Sequence, residues 1–447
     1  MKTVFSLSEG LSPYVSNERG LVARVFNSGF REAHDTYNAL SMASDGNVYY
    51  ALCSTSIDFG GKVFRYDPRT DKIIEIGDLT EMSGEKGLKT VPQGKSHVLF
   101  YEYKGKLYLS THAGYYDTTG GMERMAKEVP FGYKVYPGGH LLSYDLTTGV
   151  SEDLGIAPEG EAVLTMSMDT QRGIIYGISW PIGYFFSYDV NTTEMINFGP
   201  TASDGESGTG ENYRVLCRSI AIEPESGNAY FTNPEGDIFF YRPGAARVER
   251  IADEDMRKDY FGKYDPTSSG SMGYNWRQLV WHPEEKVFYG VHGNSGYLFT
   301  FDPKAICIEV LDRITSAPSK RSGMNDLFSY GYLGFTLGPD GRTLFYLTGG
   351  PVYENGKRVK GQDKVNTGMA KGVENLHLVT YDIPTKGYKD HGPIFYPDGQ
   401  RPLYVNSIAV AADGTVYTLA RVTENGETRT DLVQIQRSIN YTDGAEK

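Results

Sequence analysis

The sequence predicts an all-β fold, a seven-bladed β-propeller with four antiparallel strands per blade, in a single domain over residues 1–447. Three observations predict it. Glycine supplies 53 and tyrosine 34 of the 447 residues, a mixture of turn formers and strand-favouring aromatics that disfavours helix bundles and coiled coils. A pattern of four short apolar segments parted by turns recurs about every 40 residues, the signature of a propeller blade. Asp45-Gly46, Asp340-Gly341 and Asp413-Gly414, with Lys104-Gly105, fall where a tight turn must join a first strand to a second.

Seven copies follow one another along the chain. The first is ALSMASDGNVYYALCS and GGKVFRYDPRTDKIIEIGDL at 39–79, and the second is SHVLFYEYKGKLYLSTHAG and GGHLLSYDLTTGVSEDLG at 96–155. The third occupies 163–199, the fourth 218–252 and the fifth 277–312. The sixth, at 334–392, carries a Lys/Gly-rich insertion, and the seventh runs over 407–436. Third strands end in Tyr-Asp or a close variant. Residues 1–38 are expected to add a strand that completes the closure. No Pro/Ser linker parts the copies, which disfavours two unrelated β-domains.

Charge and apolar content exclude other classes. Acidic residues outnumber basic ones, 56 to 44, for a net charge of −12 and a pI of 5.3, so no chain-wide basic surface exists to neutralise phosphates, and nucleic acid is not an expected partner. No run approaches the roughly 18 apolar residues of a membrane-spanning helix. The start, MKTVFSLSEG, is interrupted by Ser6, Ser8 and Glu9 and does not read as a secretory signal, so a cytoplasmic location is expected, or a periplasmic or secreted one if an export signal precedes it. Cys53, Cys217 and Cys307 are odd in number and widely spaced, which suits free thiols in a reducing compartment better than a disulfide framework or a zinc site.

Propeller geometry selects the candidate site. First strands line the central channel and the chain alternates direction, so first-strand starts, second-strand ends and third-strand starts share one rim. In the second copy that rule collects His97, His112 and His140; in neighbouring copies it adds Trp180, Tyr184 and Arg218, and further round Arg277, His292, His377, Asn406 and His34. Converging polar groups at a channel mouth are the default expectation for a binding pocket. Histidine titrates near neutrality and can move protons, and arginine is a planar clamp for a carboxylate. Each residue has a plainer reading. His97 and His112 also fit hydrogen-bonded structural histidines, Arg218 a partner for a rim carboxylate, and Tyr184 and Trp180 packing between blades, with Trp180 otherwise a sugar-stacking ring. His140, after Pro137-Gly138-Gly139, fits a turn anchor as well as a ligand contact.

Phosphate-binding loops, His-Glu-x-x-His and Rossmann patterns are absent, and a propeller offers no long helix N-terminus for a pyrophosphate, so no nucleotide cofactor is expected and none is required. A structural calcium ion at the acidic stretch Ile251–Met256, or zinc on the histidines, is compatible with the residues but not specified by their spacing.

At QGKSHVLFYEYKGKLYLSTHAGYY, PGGHLLSYD, IIYGISWPIGYFFSYD and CRSIAIEPESGNAYFT the chain resembles the seven-bladed β-propeller polysaccharide lyases, including ulvan lyases and L-rhamnose-α-1,4-D-glucuronate lyases. The likeness covers most of the chain as a repeat and is specific over about 93–232. It implies β-elimination of a uronate-containing oligo- or polysaccharide, with His97, His112, Tyr184 and Arg218 as the catalytic set. Substrate-binding positions would be Lys95, His140, Trp180, Arg277, His292 and Asn406. Two departures are the insertion Tyr115–Pro137 and Ser179-Trp180-Pro181 where a tyrosine is expected. Oligogalacturonate lyase is a related propeller, but a full histidine/glutamine manganese cluster does not map here.

The chemistry suits those residue types. Removing the C5 proton of a uronate builds charge on its carboxylate, which Arg218 would neutralise most strongly in the transition state. A neutral histidine would take the proton, and a second histidine or Tyr184 would protonate the leaving oxygen. The net charge opposes an anionic glycan, so Lys95, Arg214, Arg218 and Arg277 would have to make the rim locally positive. The alternative is a non-catalytic propeller that binds a glycan or protein at the same rim, and a third class is a hydrolase or metal-assisted lyase acting on a small molecule. Linkage, endo or exo mode, metal dependence and oligomeric state are left open by the sequence.

Overall fold

The computed structural model describes residues 21–119, 122–261, 264–265, 272–293, 295–321, 334–350, 353–354, 357–358, 375–402, 405–424 and 426–435. Most of the Lys/Gly-rich insertion of the sixth copy lies outside these residues. Seven four-stranded antiparallel blades are present among the described residues, over 40–78, 101–156, 162–200, 221–255, 276–313, 334–395 and 409–435. The seventh is completed by Leu21–Val25, which pairs antiparallel with Glu427–Ile435 (Ala23 opposite Ile435). On its other side the same strand meets the outer strand of blade six in parallel (Leu21 opposite Ile394), so two blades are joined into one eight-stranded sheet.

The sequence repeat has a physical reason at each turn. In Tyr-Asp, the aspartate ends the third strand and its carboxylate accepts backbone N–H groups two or three residues on. Asp145 takes Thr147 and Thr148 (2.9 and 2.7 Å), Asp302 takes Lys304 and Ala305 (2.8 and 2.9 Å), and Asp67 and Asp189 do the same at Arg69 and Asn191. Between first and second strands, Gly46 turns at φ 79°, a value open to glycine, while Asp45 accepts from Asn47 N–H at 2.9 Å.

A second repeat lies beneath the first. Five residues before the turn position, the start of the third strand reaches a side chain thirteen residues on, in the outer strand. The pairs are Lys62–Glu75 (2.8 Å), His140–Asp153 (2.9 Å), Asp237–Arg250 (3.5 Å) and His377–Asp390 (3.0 Å). Polar groups thereby hold the third and fourth strands together at the rim.

Apolar side chains meet between blades. Tyr49, Ala51 and Val63 of blade one pack on Leu107, Leu109 and Leu142 of blade two, and Tyr108 and Leu141 on the other face of blade two pack on Val163, Ile175 and Phe186 of blade three. At the closure Ala23 is wholly buried among Ile394, Val433 and Ile435. Ala23→Asp would bury an unpaired carboxylate there, and a destabilisation of about 3 kcal/mol or more is expected, read as a lowered urea midpoint at unchanged slope.

Candidate functional site

The second copy departs from the simple blade at its start. Its inner strand begins at Tyr101, not at residue 96, because the preceding residues pair locally with the end of the second strand: Lys95 and His112 exchange backbone hydrogen bonds at 3.0 and 2.8 Å. Two glycines allow it, since a Cβ on Gly94 would collide with the Cα of Gly114. In an antiparallel pair opposed residues share a face, and so do residues two apart, so Lys95, His97 and His112 all project to one side.

On that side four rings stack. Tyr37 lies on His97 (centroids 3.7 Å apart, planes at 20°), His97 on His112 (4.3 Å, 19°), and His112 against Trp180 (4.8 Å, 39°). His112 Nδ1 is 3.1 Å from the Ala113 carbonyl, which can only accept. Nδ1 therefore carries the hydrogen and Nε2 the lone pair. The Nε2 atoms of His97 and His112 are both buried and meet no hydrogen-bond partner among the described residues. Burial, then the cations Lys95 and Arg218, push His112 down to about 3. Burial, the neighbouring His112 and the cations Lys95, Arg218 and Arg277 hold His97 well below its ordinary value. Both rings are neutral bases at pH 7.

His97 and Arg218 border a cavity of about 410 Å³ in the channel, whose polar lining includes Asn38, Thr165, Ser219 and Gln278. The cations that act on His97 are held by the chain's own groups. Arg218 Nη2 pairs with Glu206 at 2.7 Å, and the buried Glu206 carboxylate also accepts from Trp180 Nε1 (3.1 Å) and Leu216 N–H (3.0 Å). Arg277 donates to Asn406 Oδ1 at 3.0 Å. Lys95 is fully buried against Glu123 at 3.1 Å.

Several rim residues are otherwise engaged. His140 donates or accepts at both nitrogens, to Asp153 (2.9 Å) and to Glu85 (2.8 Å), and His292 does so with Ser295 (2.9 Å) and the Gly273 carbonyl (3.1 Å). Neither has a nitrogen left for a ligand, so both are held structurally; His377 is bonded at Nδ1 to Asp390, and its buried Nε2 meets no hydrogen-bond partner among the described residues. Trp180 is 2% exposed, its indole N–H taken by Glu206 and one face given to His112, which leaves no open face for a sugar. Tyr184 starts its strand with its N–H on Ser179 Oγ (2.9 Å); its hydroxyl is raised in pKa by burial and by Glu161 and Glu159, not by contact with the imidazoles. His34 is half exposed on Asp35. At the acidic stretch, Asp255 and Glu254 are paired with Arg257 and Lys258. Among the described residues no group of three or more His, Cys, Asp or Glu side chains forms a metal-binding set.

Sequence reasoning missed Tyr37, Glu206 and Glu123. Tyr37 was within reach, because the rim rule applied to the first copy selects the residues just before Leu40. Glu206 and Glu123 come from an interblade loop and an inserted hairpin that no repeat announces.

The architecture defines a seven-bladed β-propeller with an imidazole pair and cations at one channel mouth. Over 98% of this chain and 99% of the other it is similar to a chain in a crystal structure of the mitotic checkpoint complex, at 12% identity and a TM-score of 0.51. It is similar over 93% and 98% of the respective chains to the selenomethionine-substituted virginiamycin B lyase from Staphylococcus aureus, at 8% identity and a TM-score of 0.51. Likeness at such identities shows the fold alone. No family model and no curated protein matches the sequence.

Two pH dependences of stability follow, with opposite signs. His97 and His112, depressed when folded, stabilise the fold above the unfolded value of about 6.5 and lose that contribution as pH falls below it. Burial alone would lower His140, but hydrogen bonds to Glu85 and Asp153 raise it; its contribution is present below about pH 6.5 and lost as pH rises through the folded value. Urea titrations at several pH values should show the acid limb flattened in His112→Phe and the neutral-to-basic limb flattened in His140→Asn. Unchanged limbs would contradict these assignments.

Proposed function

We propose that the protein is a carbon-oxygen lyase that cleaves a uronate-containing oligo- or polysaccharide by β-elimination at this channel mouth. The observation that carries the proposal is the stacked His97–His112 pair, neutral, with both Nε2 atoms buried and unpartnered among the described residues, beside Arg218 and Arg277. Elimination needs a base with a free lone pair and a cation near the carboxylate on which charge collects. His97, on the cavity border, takes the C5 proton onto the ring nitrogen that carries its lone pair; the electron pair forms the C4–C5 double bond as the C4–oxygen bond breaks. The imidazolium returns the proton to the leaving oxygen, so no water is consumed. Arg218, backed by Glu206, and Arg277 face the carboxylate. A bound anion favours the protonated ring, which lifts the imidazole pKa from its depressed value in the empty site toward the range useful for catalysis. Tyr184, expected beside a second histidine as a proton donor, has Glu159 and Glu161 as its charged neighbours and is not required in this scheme.

A second reading has its own observation. His112 is almost wholly buried, and Lys95 and Arg218 already hold carboxylates, an arrangement that suits a non-catalytic propeller binding a glycan or a protein partner at this rim. One experiment separates the two. The protein is incubated with ulvan, rhamnose-capped arabinogalactan and oligogalacturonate, and the ultraviolet absorbance of the unsaturated uronate is followed. The lyase reading expects product from one of them, with His97→Ala, His112→Ala and Arg218→Gln each slowing turnover by about 100-fold or more while the circular dichroism spectrum is kept. Binding without product on every substrate would replace it with the second reading.

A further inference from the structure

The insertion in blade two folds as a β-hairpin, Tyr116–Thr119 paired with Met122–Met125, that joins no blade. Isolated two-stranded hairpins are marginally stable in water, so this one depends on what it touches. Met122 enters a small satellite cluster with Tyr213, Val215 and Met272, while Met125 and the adjoining Tyr115 pack on the edge of the interblade core. Arg124 donates to the carbonyls of Glu206 and Gly208, in the loop between blades three and four. Asp117, Thr118 and Thr119 are exposed. An exposed strand that belongs to no blade can open without breaking a blade's ladder.

From this hairpin Glu123 reaches Lys95, both carboxylate oxygens lying 3.1 to 3.2 Å from Nζ. The ammonium lies over the ring of Tyr116 at 3.9 Å and 5.2 Å from that of Tyr37, the ring that stacks on His97. Removing the partner of a buried ammonium is costly. An anion that replaces Glu123 restores the pairing, and a neutral group does not.

We propose that the hairpin is a lid and that Lys95 is a carboxylate-binding position, filled in the free protein by Glu123 and taken over by a uronate carboxylate when the lid lifts. The proposal deepens the lyase reading and rests on it for the identity of the ligand. Lys95 stands two residues from His97 on the same face, so a carboxylate there lies on a sugar next to the imidazole pair. Glu123 thus sets both charge selectivity and the threshold for entry: neutral glycans cannot replace it, and acidic ones exchange one carboxylate for another.

The test is calorimetric titration of D-glucuronate into the wild type, Glu123→Gln and the Lys95→Met/Glu123→Gln double variant. Glu123→Gln keeps the shape of the side chain and removes its charge, and is expected to bind about tenfold more tightly than wild type. The double variant is expected to lose that gain. No gain in Glu123→Gln, or a gain that survives loss of Lys95, overturns the proposal. Should Glu123→Gln fail to fold, amide hydrogen exchange of the wild type decides: exchange at Tyr116–Met125 is expected to quicken with added glucuronate, and unchanged exchange overturns the lid. The lyase reading is judged separately by ultraviolet product formation in the wild type. Product without the binding gain rejects the lid alone, and the binding gain without product rejects the lyase reading alone.

Discussion

Each blade is stable only because its neighbours cover its faces. A four-stranded sheet of this composition is apolar on both sides, and an open stack would leave the first and last faces in water. The ring removes both ends: Tyr417, Leu419 and Leu432 of blade seven lie on Leu40, Tyr50 and Phe64 of blade one. Everything at the channel mouth inherits its position from that closure. The rim is where strands stop, and strand ends are placed by sheets packed on both sides.

Polar chemistry is arranged in layers on this scaffold. Turn aspartates and the pairs thirteen residues apart are repeated and belong to the blades. The stacked rings and their carboxylates are not repeated and occur at blade two and its neighbours. His140 shows the difference, since it occupies the rim like His97 yet spends both nitrogens on Asp153 and Glu85. A histidine committed at both nitrogens fixes geometry, whereas one with an unpartnered ring nitrogen and no carboxylate beside it is left as a free base.

Most of the fold was legible because its causes are local. Tyr-Asp turns, Asp-Gly hairpins and alternating apolar residues each act over a few residues, so their recurrence could be read without coordinates. The site was legible only where strand order dictates it: the rule about strand ends collects His97, His112, Arg218 and Arg277. It also collects His140, His292 and His377, because a rim position says nothing of what a ring nitrogen meets. The spacing from Lys62 to Glu75, His140 to Asp153, Asp237 to Arg250 and His377 to Asp390 was a readable sign that two of these histidines are blade fixtures. Glu206 and Glu123 were not readable, since they sit in a loop and an inserted hairpin that no repeat positions.

The strand Leu21–Val25 has a consequence for how the protein is made. Its antiparallel partner, Glu427–Ile435, follows it by roughly 400 residues, a contact of very high sequence separation. At about 5–20 residues per second, the early strand waits about 20–80 s on the ribosome for the segment it must pair with. Through that interval the earlier blades can form in order while the ring stays open, with the outer faces of blades one and six exposed together with an unpaired strand edge. Translation speed and chaperone supply in the host therefore bear on the yield of closed protein, and a slow pause late in the message would lengthen the most aggregation-prone stage of its synthesis.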